Sequence, residues 1–302
     1  MGNFLGCIKP AVESVGGEVE SYFFIADMHA LTTFKGAGAM QHGIRDIACT
    51  WLACGLDPKK TTFYRQSDVP EIFEIYTVLG NFTPKGLMDR AHAYKAKVAD
   101  GLDANMGLYN YPLLMTADIL AFNTNFVPVG SDQAQHVEMA SDIAKAFNAV
   151  CGKTFVEPSA VIKKDVGIIA GTDGRKMSKS YNNTIPLFGS REELLKSVKK
   201  ITTDSTAPDA PKDPGHVIFG LYKLFTGTEM DTRVGWGDAK MKLFEAMDAY
   251  IAPMRERYDY LMSHWGEVER ILAEGAERAR AVARETLARV KKAVGISGEG
   301  HK

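Results

Sequence analysis

The segment GRKMSKS at residues 174–180 carries the side chains best suited to act on a phosphorylated substrate. Lys176 and Lys179 are three positions apart, with Ser178 between them and an Asp-Gly turn just before them. Two ammonium groups at this spacing can bind one polyphosphate, and the long lysine stem can follow a charge that migrates during a reaction. A solvated basic turn is the alternative explanation of a short lysine run. The pattern therefore predicts a mobile phosphate-binding loop or an exposed turn.

A second candidate site lies in YPLLMTADIL at residues 111–120, where one carboxylate follows an apolar run. A helix that begins at Pro112 places Met115 and Asp118 on one face, with Tyr111 about one turn before them. Burying a carboxylate without a partner is costly. Asp118 is therefore predicted to accept a hydrogen bond in a binding pocket rather than to be an incidental polar residue.

The elements that would position these segments alternate between strand and helix. Three segments are predicted as parallel strands: YFFIAD (22–27), TTFYRQS (61–67) and FVPVG (126–130). Amphipathic helices follow the first and third of them, and Asp132 can cap the second of these helices. Residues 70–108 are mostly polar and helical, which indicates an insertion over the sheet. Beyond about residue 189 the signals are all helical, so the sequence predicts an α/β sheet domain followed by a helical one.

Composition limits the other possibilities. The chain has 302 residues and a net charge of −1, so nucleic-acid binding requires a local basic surface. Its four cysteines form no pair or cluster with zinc spacing, which predicts free thiols in a reducing cytoplasm and no metal site. No apolar run approaches the ~20 residues that span a membrane, so we expect no membrane association.

Several segments together resemble the tryptophanyl-tRNA synthetases, a class I family whose signature loop is KMSKS. They are IADMHALTT (25–33), YRQSDVPE (64–71), AHAYKAK (91–97), YPLLMTADIL (111–120) and VPVGSDQAQHVEMASDIAKAFN (127–148). The related tyrosyl enzymes share Tyr-Pro and Gly-Ser-Asp-Gln elements but continue with Trp-Gly-Asn, where this chain has Ala134-Gln135-His136. The resemblance implies a Rossmann-like catalytic domain at 1–186, with a helical insertion at about 70–108, and an all-helical anticodon-binding domain at 187–302.

The resemblance also implies an activity and its ATP-binding residues. ATP, carrying Mg²⁺, would activate L-tryptophan to the adenylate with release of pyrophosphate, and the acyl group would pass to tRNA(Trp). Lys176 and Lys179 would stabilise the leaving pyrophosphate, and Lys97 would reach the phosphates from the insertion. The candidate ATP contacts are Gly2, Asn3, Gly130, Asp132, Lys176, Met177, Ser178, Lys179 and Ser180. For Asp132, the alternative to a direct contact is a helix cap that supports the site.

For the amino acid, the resemblance implies that Asp118 accepts the indole N–H. A site built around one such hydrogen bond can reject a substrate that lacks the donor by roughly 10⁴–10⁵-fold. The other candidate substrate contacts are His29, Tyr111, Met115, Val127, Val129 and Gln133. A purely structural role in the core fits Met115, Val127 and Val129 almost as well, and a satisfied core histidine is the alternative for His29.

At its start, the chain departs from the sequence pattern of the family. Gly2-Asn3 matches the second half of the HIGH motif, where the glycine would admit adenine to the backbone and the asparagine would contact ATP. A first strand and a turn are expected upstream of it. A misplaced start is the favoured explanation, and an impaired, truncated form is the alternative.

Three other functions stay open alongside tryptophan–tRNA ligase. They are a tyrosine–tRNA ligase, a non-catalytic paralogue that binds tRNA or tryptophan, and a generic nucleotidyltransferase of the same superfamily. The last helical segment carries Arg278, Arg280, Arg284, Arg289, Lys291 and Lys292, which would contact tRNA phosphates or would form salt bridges on a solvated helix. The resemblance also suggests a homodimer.

Overall fold

The structure is a computed structural model that describes residues 1–16, 19–91, 101, 105–130, 133–162 and 169–296. The chain forms two compact units. The helical unit comprises Met1–Val19, Ala48–Asp57 and Asp165–Trp265, and the sheet unit comprises Glu20–Ile47, Pro58–Lys164 and Gly266–Lys302. The two units interleave along the chain and do not follow the single boundary predicted near residue 186. The anticodon-binding role of residues 187–302 stays a prediction.

Among the described residues of the sheet unit, four short strands form two parallel pairs. Strand β1 (Tyr22–Ile25) pairs with β2 (Thr62–Arg65), and β3 (Phe126–Val129) pairs with β4 (Ser159–Ile162). The three predicted strands are all present at their predicted places. Strand β4 was not predicted, because its four mostly exposed residues give too short an apolar signal.

Eleven α-helices are described in the residues listed above. They are α1 (Lys9–Glu13), α2 (Asp27–Ala30), α3 (Ala37–Ala53), α4 (Glu71–Gly80), α5 (Lys85–Asp89), α6 (Met106–Leu120), α7 (Ala134–Cys151), α8 (Arg191–Lys199), α9 (Val217–Thr226), α10 (Trp236–Ser263) and α11 (Trp265–Ala293). A π-helical segment covers Phe4–Ile8, and 3₁₀ turns cover Leu31–Thr33, Gln66–Asp68 and Lys179–Tyr181. Within the described ranges, no helix is long and apolar enough to cross a membrane.

Helix α6 begins earlier than the sequence predicted. It starts at Met106, where the Asn105 side chain accepts the N–H of Leu108 at 2.9 Å, so Pro112 lies inside the helix and does not open it. Proline lacks an N–H and leaves one helical hydrogen bond unmade. The asparagine cap sets the start because it satisfies an N–H that the first turn would otherwise leave without a partner.

The last helix, α11, contributes its apolar face to the core of the sheet unit. Ala276, Ala279 and Ala283 are buried there. Gly275 makes the closest approach, since a Cβ at this position would lie 1.8 Å from the carbonyl oxygen of Phe63 in β2. The row of small residues thus lets the helix lie directly against the backbone of a strand.

The core of the helical unit is built from helices α8, α9 and α10. Leu194, Val198, Ile218 and Phe244 are buried in it, as is Phe4 from the π-helical segment. This core supports the loop that carries Lys176 and Lys179, because Ile185, just after that loop, is buried in the same cluster.

Candidate active site

Asp118 is buried in the sheet unit, with 4% of its surface exposed, and two other side chains donate to it. His29 Nε2 lies 2.8 Å from Asp118 Oδ2. Gln66 Nε2 donates to Asp118 Oδ1 at 2.8 Å and to Oδ2 at 3.0 Å. A carboxylate can accept about four hydrogen bonds, so this geometry leaves capacity for one more.

Gln66 forms hydrogen bonds with both His29 and Asp118. It is fully buried in the 3₁₀ turn that follows β2, and its Oε1 accepts the backbone N–H of His29 at 3.3 Å. The NH₂ group of the Gln66 amide therefore faces Asp118, and its carbonyl oxygen faces the backbone of α2. This contact fixes the orientation of the carboxylate and of the segment that carries His29.

The two ring nitrogens of His29 lie in different surroundings. Nε2 faces the Asp118 carboxylate, to which it donates when it carries a proton. Nδ1 is buried and has no hydrogen-bond partner among the described residues. A core histidine whose hydrogen bonds are all made would bond through both nitrogens, and the pocket role of His29 stays a prediction.

Burial dominates the electrostatics of this cluster. It raises the pKa of Asp118 above its ordinary value of 3.8, while the hydrogen bonds from His29 and Gln66 oppose the shift and the charge of Asp27 adds to it. Burial likewise raises the pKa of Tyr64 well above its ordinary value, and the charge of Asp118 contributes. A buried carboxylate that is only partly compensated favours a further hydrogen-bond donor.

Aromatic contacts extend the cluster toward α7. The ring of Tyr111 meets that of His29 edge-on at 4.6 Å between centroids, and that of His136 at 5.6 Å. His136 Nδ1 lies 2.9 Å from Gln133 Oε1. The structure therefore brings together four of the predicted substrate residues, His29, Tyr111, Asp118 and Gln133, from separate parts of the sequence.

The remaining predicted substrate residues lie in the same unit. Met115 lies on α6 between Tyr111 and Asp118, and Val127 and Val129 lie on β3; all three are half-buried and pack against the core. These contacts suit a core role as well as a pocket wall, so both interpretations stay open. Gly130 is exposed, and its carbonyl accepts the N–H of Gln133 at 3.0 Å. Lys97 and Asp132 lie outside the described residues.

The lysine loop in the helical unit is organised around Asn183, a buried residue with 1% of its surface exposed. Asn183 Nδ2 donates to Asp173 Oδ1 at 2.7 Å and to the Lys176 carbonyl at 3.1 Å, and its Oδ1 accepts the N–H of Ser178 at 2.8 Å. Hydrogen bonds from Asn183 and then Arg175 lower the pKa of Asp173 to about 2. The loop is thus fixed from inside while its outer side stays exposed.

This loop carries three cations, of which, among the described residues, Arg175 is paired and Lys176 and Lys179 are not. Arg175 forms an ion pair with Asp173 at 2.6 Å. Lys176 and Lys179 are exposed, and within the described ranges neither ammonium group has a hydrogen bond or ion pair. Ser178 Oγ accepts the N–H of Ser180 at 3.2 Å and caps the short turn that carries Lys179. Two lysines are therefore available for a polyanion.

The first residues of the chain contact this loop. The N–H of Gly2 donates to Met177 Sδ at 3.1 Å, and a Cβ on Gly2 would lie 3.4 Å from the same atom. Asn3 precedes the π-helical segment and makes no side-chain cap to it. Gly2 and Met177, two predicted ATP contacts, are neighbours in the structure. Their contact with ATP stays a prediction.

Most of the cations predicted on the last helix form intramolecular contacts. Arg280 and Arg284 both bond to the buried carboxylate of Glu71, at 3.1 and 3.0 Å. Arg278 donates to the carbonyls of Pro58 and Thr61, Arg289 donates to Asn123, and Lys291 pairs with Glu74. Of the two alternatives for this helix, the structure favours the salt-bridged one.

Sequence reasoning missed three residues of these clusters, Gln66, His136 and Asn183. His136 and Asn183 each lie three positions after a predicted residue, Gln133 and Ser180, whereas Gln66 lies near none. Amide and imidazole side chains are frequent on surfaces and give no burial signal of their own. For Gln66 one clue was available. It ends a buried strand, and in a parallel sheet such a position adjoins the site.

Comparison with known proteins identifies the family of this chain. The family model for class I tRNA synthetases (W and Y) matches residues 1–251. The tryptophan–tRNA ligase of Xanthomonas axonopodis pv. citri is 48% identical over 316 aligned positions, which cover 98% of this chain and 73% of that ligase.

Solved structures extend the likeness to the fold. Tryptophanyl-tRNA synthetase from Campylobacter jejuni, complexed with ADP and tryptophan, is 42% identical with a TM-score of 0.92, over 97% of this chain and 95% of that one. The enzyme from Mycoplasma pneumoniae is 27% identical with a TM-score of 0.83, over 100% and 95% of the two chains. The predicted fold class is confirmed, and the chain belongs to the class I tRNA synthetases of the tryptophan and tyrosine family.

Proposed function

We propose that this chain is a tryptophan–tRNA ligase, which uses ATP to activate L-tryptophan and transfers the acyl group to tRNA(Trp). The observation that carries the proposal is the buried Asp118 carboxylate, whose three hydrogen bonds leave one acceptor position open. The indole N–H is a donor only, and it complements such a position. A tyrosine hydroxyl could also donate at this position, so the choice of tryptophan rests on the tryptophan enzymes among the relatives.

In the first step a carboxylate oxygen of tryptophan attacks the α-phosphorus of ATP, and the bond to the β,γ-pyrophosphate breaks. This chemistry needs orientation and charge stabilisation more than a general base. Lys176 and Lys179 carry exposed, unpaired ammonium groups in the described chain, and we assign them to the leaving pyrophosphate. Lys97 is assigned to the phosphates by the resemblance alone.

The ATP contacts are assigned by the family resemblance alone. We assign Gly2, Asn3, Met177, Ser178, Ser180, Gly130 and Asp132 to contacts with the nucleotide. The described residues contain no group of three or more His, Cys, Asp or Glu placed to hold a metal. Mg²⁺ would accordingly enter on the triphosphate oxygens, which are the ligands it prefers, and neutralise part of their charge.

In the second step a terminal ribose hydroxyl of tRNA(Trp) attacks the acyl carbonyl, and AMP leaves. We also propose a homodimer, supported by the family resemblance and checked by light scattering of the purified chain. A cytoplasmic location follows from the use of the product by ribosomes.

ATP–pyrophosphate exchange tests the proposal, with tryptophan, with tyrosine and with no amino acid. We expect exchange that depends on tryptophan, followed by charging of tRNA(Trp). Exchange that prefers tyrosine would replace tryptophan by tyrosine as the substrate. Folded protein that binds tryptophan or tRNA but gives no exchange would favour a non-catalytic binding paralogue.

A further inference from the structure

Helix α8 presents a group of unpaired lysines on the helical unit. Lys196, Lys199 and Lys200 line a hollow of about 390 Å³ together with Glu192 and Leu195. The three lysines are exposed, and within the described parts of the chain none of their ammonium groups has a hydrogen bond or ion pair. We call Lys196, Lys199 and Lys200 the α8 lysine face.

The acidic residue at this hollow does not neutralise the face. Glu192 lies four positions before Lys196, the spacing of a helical ion pair, yet the two side chains form no salt bridge. The Glu192 carboxylate instead takes hydrogen bonds at the start of the helix, from its own backbone and from Ser190, which lower its pKa. The face therefore keeps its positive charge.

Helix stability does not account for three cations at this end. A helix C-terminus favours positive charge. Here Lys240 already donates its Nζ to the carbonyl of Lys199 at 3.0 Å, and the N–H of Lys200 is bonded to the carbonyls of Lys196 and Val198. Like charges three and four positions apart repel by a few tenths of a kcal/mol per pair. Their ammonium groups have no partner within the described chain, which leaves them available to an external anion.

Backbone hydrogen bonds connect the chain after α8 to the lysine loop of the same unit. Two residues after Lys200, the N–H of Thr202 donates to the carbonyl of Thr172 at 2.9 Å, and the N–H of Thr172 donates to the carbonyl of Asn183 at 2.9 Å. The end of α8 is thus hydrogen-bonded to the base of the loop that carries Lys176 and Lys179. An anion that contacts both the α8 lysine face and the lysine loop would be long and would carry many charges.

Resting on the proposed function, we infer that the α8 lysine face binds the phosphate backbone of tRNA. Phosphate contacts by lysine position a nucleic acid without reading its sequence, which suits exposed side chains that have no partner of their own. This assigns the electrostatic contact to α8 and not to the arginines of α11, which bond within the sheet unit. The chain keeps a net charge of −1, so a local face of this kind is what tRNA binding requires.

The test compares two triple variants that each lose three positive charges. One is Lys196→Gln/Lys199→Gln/Lys200→Gln. The control is Lys85→Gln/Lys145→Gln/Lys153→Gln, whose lysines are also exposed but lie in the sheet unit. Exchange with tryptophan is measured first on the unaltered chain and then on each variant, because it needs no tRNA and reports the proposed function separately.

We expect the α8 variant to keep its exchange rate within about twofold, while the Kd for tRNA(Trp) in filter binding rises by about tenfold or more near 0.1 M salt. The slope of log K against log salt concentration should fall in magnitude by about 2 to 3, or roughly one unit per lost phosphate contact. The control should change neither quantity by a comparable amount.

Three results would overturn the inference. The first is unchanged tRNA affinity, and the second is an equal loss in the control. The third is a loss of exchange together with tRNA binding, which would assign the face to support of the loop. Lysine-dependent binding of poly-glutamate without lysine-dependent binding of tRNA would assign the face to an acidic protein partner. If exchange fails in the unaltered chain, the proposed function fails, and the filter-binding comparison still decides the role of the face.

Discussion

Replacing Asp118 with asparagine should separate recognition of the indole nitrogen from the other functions of the pocket. The carboxylate already accepts one hydrogen bond from His29 and two from Gln66. An asparagine has one oxygen and an NH₂ group that would face donors. It cannot satisfy His29, Gln66 and an indole N–H together, although its volume is almost unchanged.

The size of the effect follows from the lost bond. A hydrogen bond to a charged group contributes about 1.5–3 kcal/mol. The kcat/KM for tryptophan should therefore fall roughly 10- to 150-fold, since each 1.36 kcal/mol is a factor of ten. The indole nitrogen takes no part in the reaction, so the bond is equal in the ground and transition states. The loss should appear in KM, with kcat little changed.

The assay is ATP–pyrophosphate exchange with tryptophan and with benzothienylalanine, in which sulfur replaces the ring N–H. The analogue cannot donate to Asp118, so its kcat/KM should stay within about threefold in Asp118→Asn. Asp142→Asn makes the same chemical change at an exposed position on α7 and should affect neither substrate. An equal fall for both substrates would refute the recognition role and indicate a structural one.

The same variant tests the ionisation of Asp118. Burial raises the pKa of its carboxyl above the ordinary value, so the folded state binds this proton more tightly than the unfolded state does. The stability that Asp118 contributes is therefore largest at low pH and is lost as pH rises through the raised pKa. The free energy of unfolding of Asp118→Asn, relative to the unaltered chain, should increase from acid to neutral pH in urea titrations. A difference that does not change with pH would contradict the direction of the shift.

Three further variants test the Asp118 cluster, the lysine loop and the packing of α11 against β2. Gln66→Met removes both amide bonds to Asp118, so the KM for tryptophan in exchange should rise by about tenfold with kcat retained; an unchanged KM would exclude a positioning role. Asn183→Ala removes three hydrogen bonds from the lysine loop, so kcat should fall roughly 10- to 100-fold while the KM for tryptophan is unchanged; full activity would show that the loop orders itself without Asn183. Gly275→Ala places a Cβ 1.8 Å from a β2 carbonyl oxygen and should lower the free energy of unfolding by about 3 kcal/mol or more in urea. Gly266→Ala is the control on the same helix, because a Cβ at that position would have no atom of a neighbouring element within 4 Å; its free energy of unfolding should stay within about 1 kcal/mol of the unaltered chain. Equal stability of the two variants would contradict this packing.

The sequence predicted the elements of the sheet unit well because their signals are local. The three predicted strands and the following helices have apolar patterns that any short window contains. The start of α6 was wrong because Pro112 is a strong local signal and the Asn105 cap is a weak one. The place of α11 in the sheet unit could not be predicted, since it depends on a contact between Gly275 and a strand more than 200 residues earlier.

The candidate site was predicted as a list of residues but not as an arrangement. His29, Tyr111, Asp118 and Gln133 were each identified by resemblance, and the structure places them in one cluster. The buried amide of Gln66 was not identified, because its importance arises only when burial leaves the Asp118 carboxylate in need of donors. Sequence patterns identify the groups that react, whereas the groups that orient them become visible only through their contacts.

Residue chemistry explains how the positive charges are divided between structure and function. Three arginines pair with carboxylates: Arg280 and Arg284 of α11 with Glu71, and Arg175 of the lysine loop with Asp173. The planar guanidinium matches a carboxylate in a fixed geometry, so it suits a contact that does not change. The lysines of the loop and of the α8 face keep exposed ammonium groups without partners in the described chain. A flexible stem with a single charge can follow a phosphate that moves during the reaction, or a backbone that arrives and leaves. The choice of lysine at these positions is therefore physical support for transient anion binding there, independent of any resemblance.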